Sequence, residues 1–229
     1  MKMDKAYRQL ENQNKRQDLL SNAGIQLIEG EFIEKCKDIP ANSISLIYID
    51  PPIHRWWLPL YGPLGELAFI VLEEGGGLVI NAEYYTLPQI FDYMKNSGLK
   101  YWWEIVRKYN SPSAKILSKN VIANYKRLLW FVKGQKPKIS GFINDSVESK
   151  EPDIPINRWT QSTVEAEHVI SKLTVQNDVV LDCLMGIGTT AIAAIKLKRR
   201  FIGIEKDADM LATARHRIST IISSDQVRR

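Results

Sequence analysis

The sequence predicts an α/β protein with a mixed, mostly parallel sheet and helices on both faces, and three observations carry that prediction. Short apolar segments of strand length alternate along the chain with segments of helical periodicity. Two of the strands, 44–49 and 179–184, are nearly uninterrupted apolar runs, as in strands buried on both sides. A Gly-x-Gly turn at Gly186 and Gly188 then leads from the second run into a helix. With 229 residues, 45% of them hydrophobic, the chain can close one large core, so a single domain is expected.

The elements follow in order. Residues 1–23 read as a polar helical extension, 26–29 as part of a short strand, 32–38 as a helical turn, and 44–49 as the first buried strand, ended by Asp50. Apolar residues recur at helical spacing over 58–72, and the glycines at 75–77 read as the stop of that helix. A short buried strand over 78–81 and a helix over 86–96, closed by Gly98, come next. Two alternating runs, 100–109 and 121–132, joined by the polar stretch 110–120, predict the antiparallel edge of the sheet. Residues 134–158, rich in Pro, Ser, Asp and Lys, lack strong periodicity and read as a loop or mobile insert. Helix 162–173, strand 179–184, helix 189–197, strand 201–205 and helix 209–222 complete a domain over 24–222, leaving 223–229 as a tail.

Composition narrows the function classes. The longest apolar stretch, 58–80, is interrupted by Glu66, Glu73, Glu74 and three glycines, so no membrane span is expected. The segment MKMDKAYRQLENQNKRQ has no apolar core for a signal peptide, and a cytoplasmic location is expected. Two cysteines, Cys36 and Cys183, without a C-x-x-C pair argue against a disulfide framework or structural zinc, and His54, His168 and His216 show no metal spacing. The net charge of +5 is uneven: residues 100–138 hold ten basic side chains against Glu104, a local +9. That stretch, Lys115 and Lys119 included, is interleaved with aromatics and offers an electrostatic footprint for nucleic acid, or a solvated face above core aromatics.

Two strand ends carry the chemistry, since ligands of parallel sheets settle beyond the carboxyl ends of strands. Gly186 to Ala191 satisfies G-x-G-x-x-A, with Glu205 where a ribose-binding acid is expected, so a nicotinamide dinucleotide is one reading. Asp182 discriminates. Its carboxylate at the strand end repels a pyrophosphate and attracts a ligand carrying an ammonium and a sulfonium, S-adenosylmethionine. At the other strand end, Pro51 and Pro52 remove two amide donors and leave acceptors. The Asp50 carboxylate and the Pro51 carbonyl together can hold the two hydrogens of an exocyclic amine and leave its nitrogen to attack a sulfonium methyl in line.

DPPI at 50–53 and DCLMGIGTT at 182–190 together resemble the DNA N6-adenine/N4-cytosine amino-methyltransferases, in the permuted order with the Asp-Pro-Pro motif first. The resemblance spans 25–218 and includes LIEGEFIEKCKDIPANSISLIYIDPP, VLEEGGGLVI and RRFIGIEKD. It implies a Rossmann-like methyltransferase fold, S-adenosylmethionine as donor, and a flipped target base held at Asp50, Pro51, Pro52 and Ile53. Around the cofactor it implies Glu31 (where aspartate is usual), Asp50, Asp182, Leu184, Gly186, Gly188, Thr189, Thr190 and Glu205. Gln161 and Ser162 lie where a weakly matched motif precedes the cofactor helix.

The departures bear on turnover. Ile53 stands where the family has an aromatic that stacks on the extruded base, a platform worth about 1 to 3 kcal/mol. His54, Trp56 and Trp57 follow immediately and are candidate substrate contacts, Trp56 or Trp57 in compensation for Ile53. Leu184 replaces an aromatic cofactor wall. The 134–158 insert is small for elaborate base reading, so a relaxed target, a homodimer or a specificity partner is expected. The function expected is methyl transfer to a DNA base, adenine N6 first. The alternatives are RNA adenine N6 methylation, a catalytically silent module of the same fold, and a small-molecule methyltransferase.

Overall fold

A computed structural model describes residues 17–52, 55–82, 86–108, 114–148 and 162–227, and within it the predicted alternation of strands and helices forms one central sheet. After a helical segment over 17–22 come β1 (Ile25–Glu29), α1 (Phe32–Lys35) and β2 (Ile44–Ile49). A 3-10 turn over Arg55–Leu60 leads into α2 (Tyr61–Val71), β3 (Leu72–Ala82), α3 (Leu87–Met94) and β4 (Lys100–Lys108). Then follow β5 (Ala114–Ile116), β6 (Val121–Ala123), β7 (Tyr125–Val132), β8 (Ser146–Glu148), α4 (Val164–Leu173), β9 (Val179–Asp182), α5 (Thr189–Lys196), β10 (Arg200–Glu205) and α6 (Ala208–Val227). The sheet order is β1-β10-β9-β2-β3-β7-β4-β8, with β5 and β6 forming a separate hairpin. Strands from β1 across to β3 are parallel, β7 is antiparallel to both its neighbours, and β8 pairs parallel with β4.

Every residue of β2 is buried, which only a central strand covered on both faces permits. Side chains alternate along it. Leu46 and Tyr48 join a core with Val79, Trp130, Val180 and residues of α4, α5 and α6, whereas Ile47 and Ile49 join Leu78, Ile80 and residues of α1, α2 and α3 on the other face. Each such buried aliphatic contributes about 1.5 to 3 kcal/mol, so a slip by one residue would exchange both faces at a cost no local preference offsets. The register therefore fixes where Asp50 emerges.

Position follows from topology. From β9 the chain moves through α5 to β10 on one side, and from β2 it moves through α2 to β3 on the other. The strand order reverses between β9 and β2, which leaves a crevice at their carboxyl ends.

Three readings of the sequence are corrected. The glycines at 75–77 do not stop a helix: α2 ends at Val71 and β3 begins at Leu72, with the glycines inside the strand. There the register with β2 shifts between Ile44↔Leu72 and Leu46↔Gly77, and Gly75 takes φ +80°. A Cβ on Gly76 would sit 2.9 Å from the Glu73 carbonyl oxygen and 3.1 Å from that of Ser45, so only glycine fits. The joining stretch 110–120 is not simply polar loop, because Ala114–Ile116 pairs with Val121–Ala123 across a turn holding Asn120 at φ +53°. Within 134–158, β8 adds the last strand of the sheet, and residues 149–158 lie outside the described residues.

Candidate active site

Asp182 is the last residue of β9, and the β2–β9 register pairs Leu46 with Val180 and Ile47 with Leu181. Asp182 is thus level with Tyr48, and Asp50 follows one turn of the pleat beyond, on the same face. Both carboxylates line a cavity of about 180 Å³ with Tyr48, Ser162, Thr189 and Thr190. A second cavity of about 250 Å³, lined among others by Gly30, Glu31, Trp56 and Glu205, shares the walls Asp50, Leu184, Gly186 and Met210 with the first. The two strand tips therefore open on one cavity, with the second adjoining it across shared walls.

The turn after β9 is held from several directions. Leu184 N donates to Asp182 Oδ1 at 3.0 Å, and Met185 N donates to the Ile204 carbonyl at 3.1 Å, which ties the turn to β10. Gly188, at φ +82°, precedes α5, and a Cβ there would press on Ile218 at 3.1 Å and Ala214 at 3.3 Å of α6. Gly186, at φ +53°, faces open space instead, so its backbone is presented to the cavity. Glu205 joins the two turns: Oε2 accepts from Gly186 N and Oε1 from Asp207 N, each at 2.9 Å. One lone pair on each oxygen remains for ligand hydroxyls. Glu31, also on the second cavity, is exposed and pairs with Lys206 at 3.2 Å.

The electrostatics favour a cation. Burial is the main cause that pushes the Asp182 carboxyl up to about 7; hydrogen bonds from Thr190 and Leu184 oppose the rise, and Asp50 and Glu205 add to it. Three carboxylates thus converge on the crevice, and a positive ligand would relieve their repulsion. Burial, then Glu165 and Asp50, hold the Tyr48 phenol well above its ordinary range, so it is a neutral donor. Behind it, Glu165 of α4 and Arg107 of β4 form a buried ion pair at 3.3 Å.

The remaining predicted residues fall as follows. Pro51 is buried and Pro52 exposed at the crevice, while Ile53, His54 and Gln161 lie outside the described residues. Trp56 is 62% exposed at the mouth of the second cavity. Trp57 is buried and packs edge-on to Tyr61 at 4.8 Å and against Phe32, which makes it part of the wall's core. Lys115 and Lys119 are exposed on the β5–β6 hairpin, which leaves the sheet from the carboxyl end of β4, the same end as Asp50. Of the ten basic residues in 100–138, Arg107, Arg127 and Lys138 are engaged with Glu165, Glu104 and Glu73, so the local +9 overstates the charge presented to a partner.

Sequence reasoning missed Tyr48, Met210 and Phe32 as crevice residues. Tyr48 was reachable by the two-residue period from Asp50, whereas nothing local marks Met210. Cys36 and Cys183 are both buried, free and close enough to shift each other's titration, with Cys183 on the second cavity. Among the described residues no cluster of His, Cys, Asp or Glu could hold a metal ion, and no helix is long and apolar enough to cross a membrane.

Comparison with known proteins gives the same picture. A model of the N6/N4 DNA methylase family matches residues 163–216. The chain is 22% identical over 224 residues to the Type II methyltransferase M2.LlaDCHI of Lactococcus lactis subsp. cremoris, covering 87% of this chain and 78% of that protein. It is 24% identical to M2.DpnII of Streptococcus pneumoniae with the same coverage. The crystal structure of the M1.HpyAVI–SAM complex superposes with a TM-score of 0.65 at 26% identity, over 84% of this chain and 98% of the other. PvuII DNA methyltransferase, cytosine-N4-specific, shares the fold at a TM-score of 0.72 and 15% identity, over 87% of this chain and 93% of the other. With the Asp-Pro-Pro and Gly-x-Gly-Thr-Thr strand tips facing one cavity, the chain is similar in sequence and fold to the DNA N6-adenine/N4-cytosine amino-methyltransferases, and its segment 163–216 matches their family model.

Proposed function

We propose that this protein transfers the methyl group of S-adenosylmethionine to the exocyclic amine of a DNA base, with adenine N6 as the acceptor. The observation that carries the reading is the shared crevice, in which Asp50 and Asp182 line one cavity and Asp50 and Glu205 the adjoining one. The residues fit the donor. Asp182 and Asp50 face where a sulfonium and ammonium would lie, the Gly186 backbone is open to close approach, and Glu205 keeps acceptor capacity for ribose hydroxyls. When bound, S-adenosylmethionine supplies an electrophilic methyl group.

This chain's own residues do the rest. The Asp50 carboxylate and Pro51 carbonyl accept the two amine hydrogens, orient the nitrogen and draw its lone pair out of conjugation with the ring. Pro51 and Pro52 offer no amide donor to compete for that lone pair. Asp50 need not take a proton before transfer: the methylated amine, now cationic and acidic, gives up a proton afterwards to the Asp50 carboxylate that already accepts it, and from there to water. Trp56 at the mouth is a candidate stacking surface for the extruded base, and Lys115 and Lys119 candidate phosphate contacts.

The test is incubation with isotopically labelled methyl donor and separate DNA and RNA pools, followed by identification of the labelled nucleoside. Label in N6-methyladenine from DNA is the expected result. Label in N4-methylcytosine would move the acceptor within the family, label in RNA would move the polymer, and cofactor binding without any transfer would reduce the chain to a silent module.

A further inference from the structure

Asn81 stands beside Asp50. In the parallel pairing of β2 with β3, Ile49 faces Ile80, so the next pair along is Asp50 and Asn81. Both side chains point to the face that carries Tyr48 and Val79, on strands about 5 Å apart. On its other side Asn81 pairs with Leu128 of β7, fully buried and apolar. Asn81 is itself only 5% exposed, and its Oδ1 has no hydrogen-bond partner. Buried polar groups are rarely left so, because lost hydration then goes uncompensated. A carboxamide whose oxygen is left unpaired between a leucine and the acceptor carboxylate has hydrogen-bonding capacity to spare for a polar group that arrives with the substrate.

The chemistry of the substrate says which group. Asp50 and the Pro51 carbonyl are acceptors and match an amine, but adenine and cytosine each carry, next to that amine, a ring nitrogen that accepts. A donor is needed there, and Asn81 Nδ2 is one, since a half-turn of the carboxamide exchanges its oxygen and nitrogen. Resting on the base-methylation reading, we propose that Asn81 contacts the extruded base, donating from Nδ2 to adenine N1 or cytosine N3. The carboxylate and carboxamide together then read an amine beside a bare ring nitrogen. Guanine and thymine present a carbonyl beside an N–H at that edge and meet the Asp50 carboxylate with the wrong polarity. The contact orients the ring and does not activate the amine.

The experiment compares wild type and Asn81→Ala on a duplex carrying the methylated site found with labelled donor, and on the same duplex with 1-deazaadenine at the target, or 3-deazacytosine where the product is N4-methylcytosine. The ring nitrogen becomes C–H and the amine is kept. Wild type is expected to lose at least about tenfold in kcat/KM on the deaza duplex. Asn81→Ala is expected to show a similar loss on the natural duplex and little further loss on the deaza duplex, with S-adenosylmethionine affinity within about twofold of wild type. Full wild-type rate on the deaza duplex overturns the inference without any variant, as does wild-type kcat/KM for Asn81→Ala, and in either case methylation itself stands. A wild type that methylates no base overturns the functional reading and this inference with it.

Discussion

At the scale of single residues, Asp182 is caught between stability and binding. Its carboxyl is 3% exposed and pushed up to about 7. In the unfolded chain it titrates near 3.8, so between pH 4 and 7 the folded state holds a proton that the unfolded state has released, and stability falls as pH rises through that window. Above pH 7 the full cost is present, on the order of a few kcal/mol. Asp182→Asn removes the titration, so the ligand-free variant should melt several degrees higher than wild type at pH 8, with the difference shrinking toward pH 4. Binding runs the other way. The ionised form attracts the sulfonium, so wild-type affinity for S-adenosylmethionine should rise as pH passes through 7, while Asp182→Asn binds at least about tenfold more weakly and without that rise. Parallel pH profiles measured calorimetrically for the two proteins would show that another group sets the charge. Asp50→Ala separates acceptor from donor: transfer should fall by about a thousandfold or more, with cofactor affinity changed only a few-fold.

At the scale of elements, close approach and charge placement both make predictions. A methyl group on Gly76 would meet main-chain oxygens of Glu73, Ser45 and Ile44, which cannot swing aside as a side chain could. Gly76→Ala should therefore cost about 1 to 3 kcal/mol in a denaturant melt, and an unchanged midpoint would mean the bulge relaxes freely. On the β5–β6 hairpin, Lys115 and Lys119 are exposed, and the double alanine variant should weaken DNA binding evenly across sequences and flatten the salt dependence by one to two units of slope. Its thermal midpoint should not move; Arg107, locked to buried Glu165, should behave in the opposite way when truncated. These elements also show what the sequence made legible. The run ISLIYI marked a central strand because five largely apolar residues around a single serine have no other home, and Asp50 stands at its end on the crevice. The glycines at 75–77 misled, because glycine after an apolar helix usually caps it, and only the register with β2 reveals a bulge. Three-residue β8 has too few positions for any period to show, and the contact of Cys36 with Cys183 is a property of packing alone.

At the scale of the molecule, the two halves of the chain each bring one half of the chemistry. Asp50, Pro51 and Asn81 come from the first half and Asp182, Gly186 and Glu205 from the second; β1–β10 and β3–β7 tie the halves together as well, while at the crevice the described β2–β9 pairing is Leu46↔Val180 and Ile47↔Leu181. A ligand seated across that seam touches both halves, and one that binds only the folded state stabilises it by RT ln(1 + [L]/Kd), about 2.7 kcal/mol at a hundredfold excess over Kd. For a domain of this size that is a rise of roughly 5 to 10 °C in the midpoint. S-adenosylmethionine should therefore shift one cooperative transition upward as a unit. Asp50→Ala should keep most of the shift, because its main loss is on the acceptor side, whereas Glu205→Ala should lose it, because Glu205 anchors the Gly186 turn as well as offering acceptors. A melt that splits in two, with only the later half moving, would show that the seam is weaker than the parallel pairing implies. The methyl donor and the acceptor clamp would then be aligned only when substrate closes the two halves together.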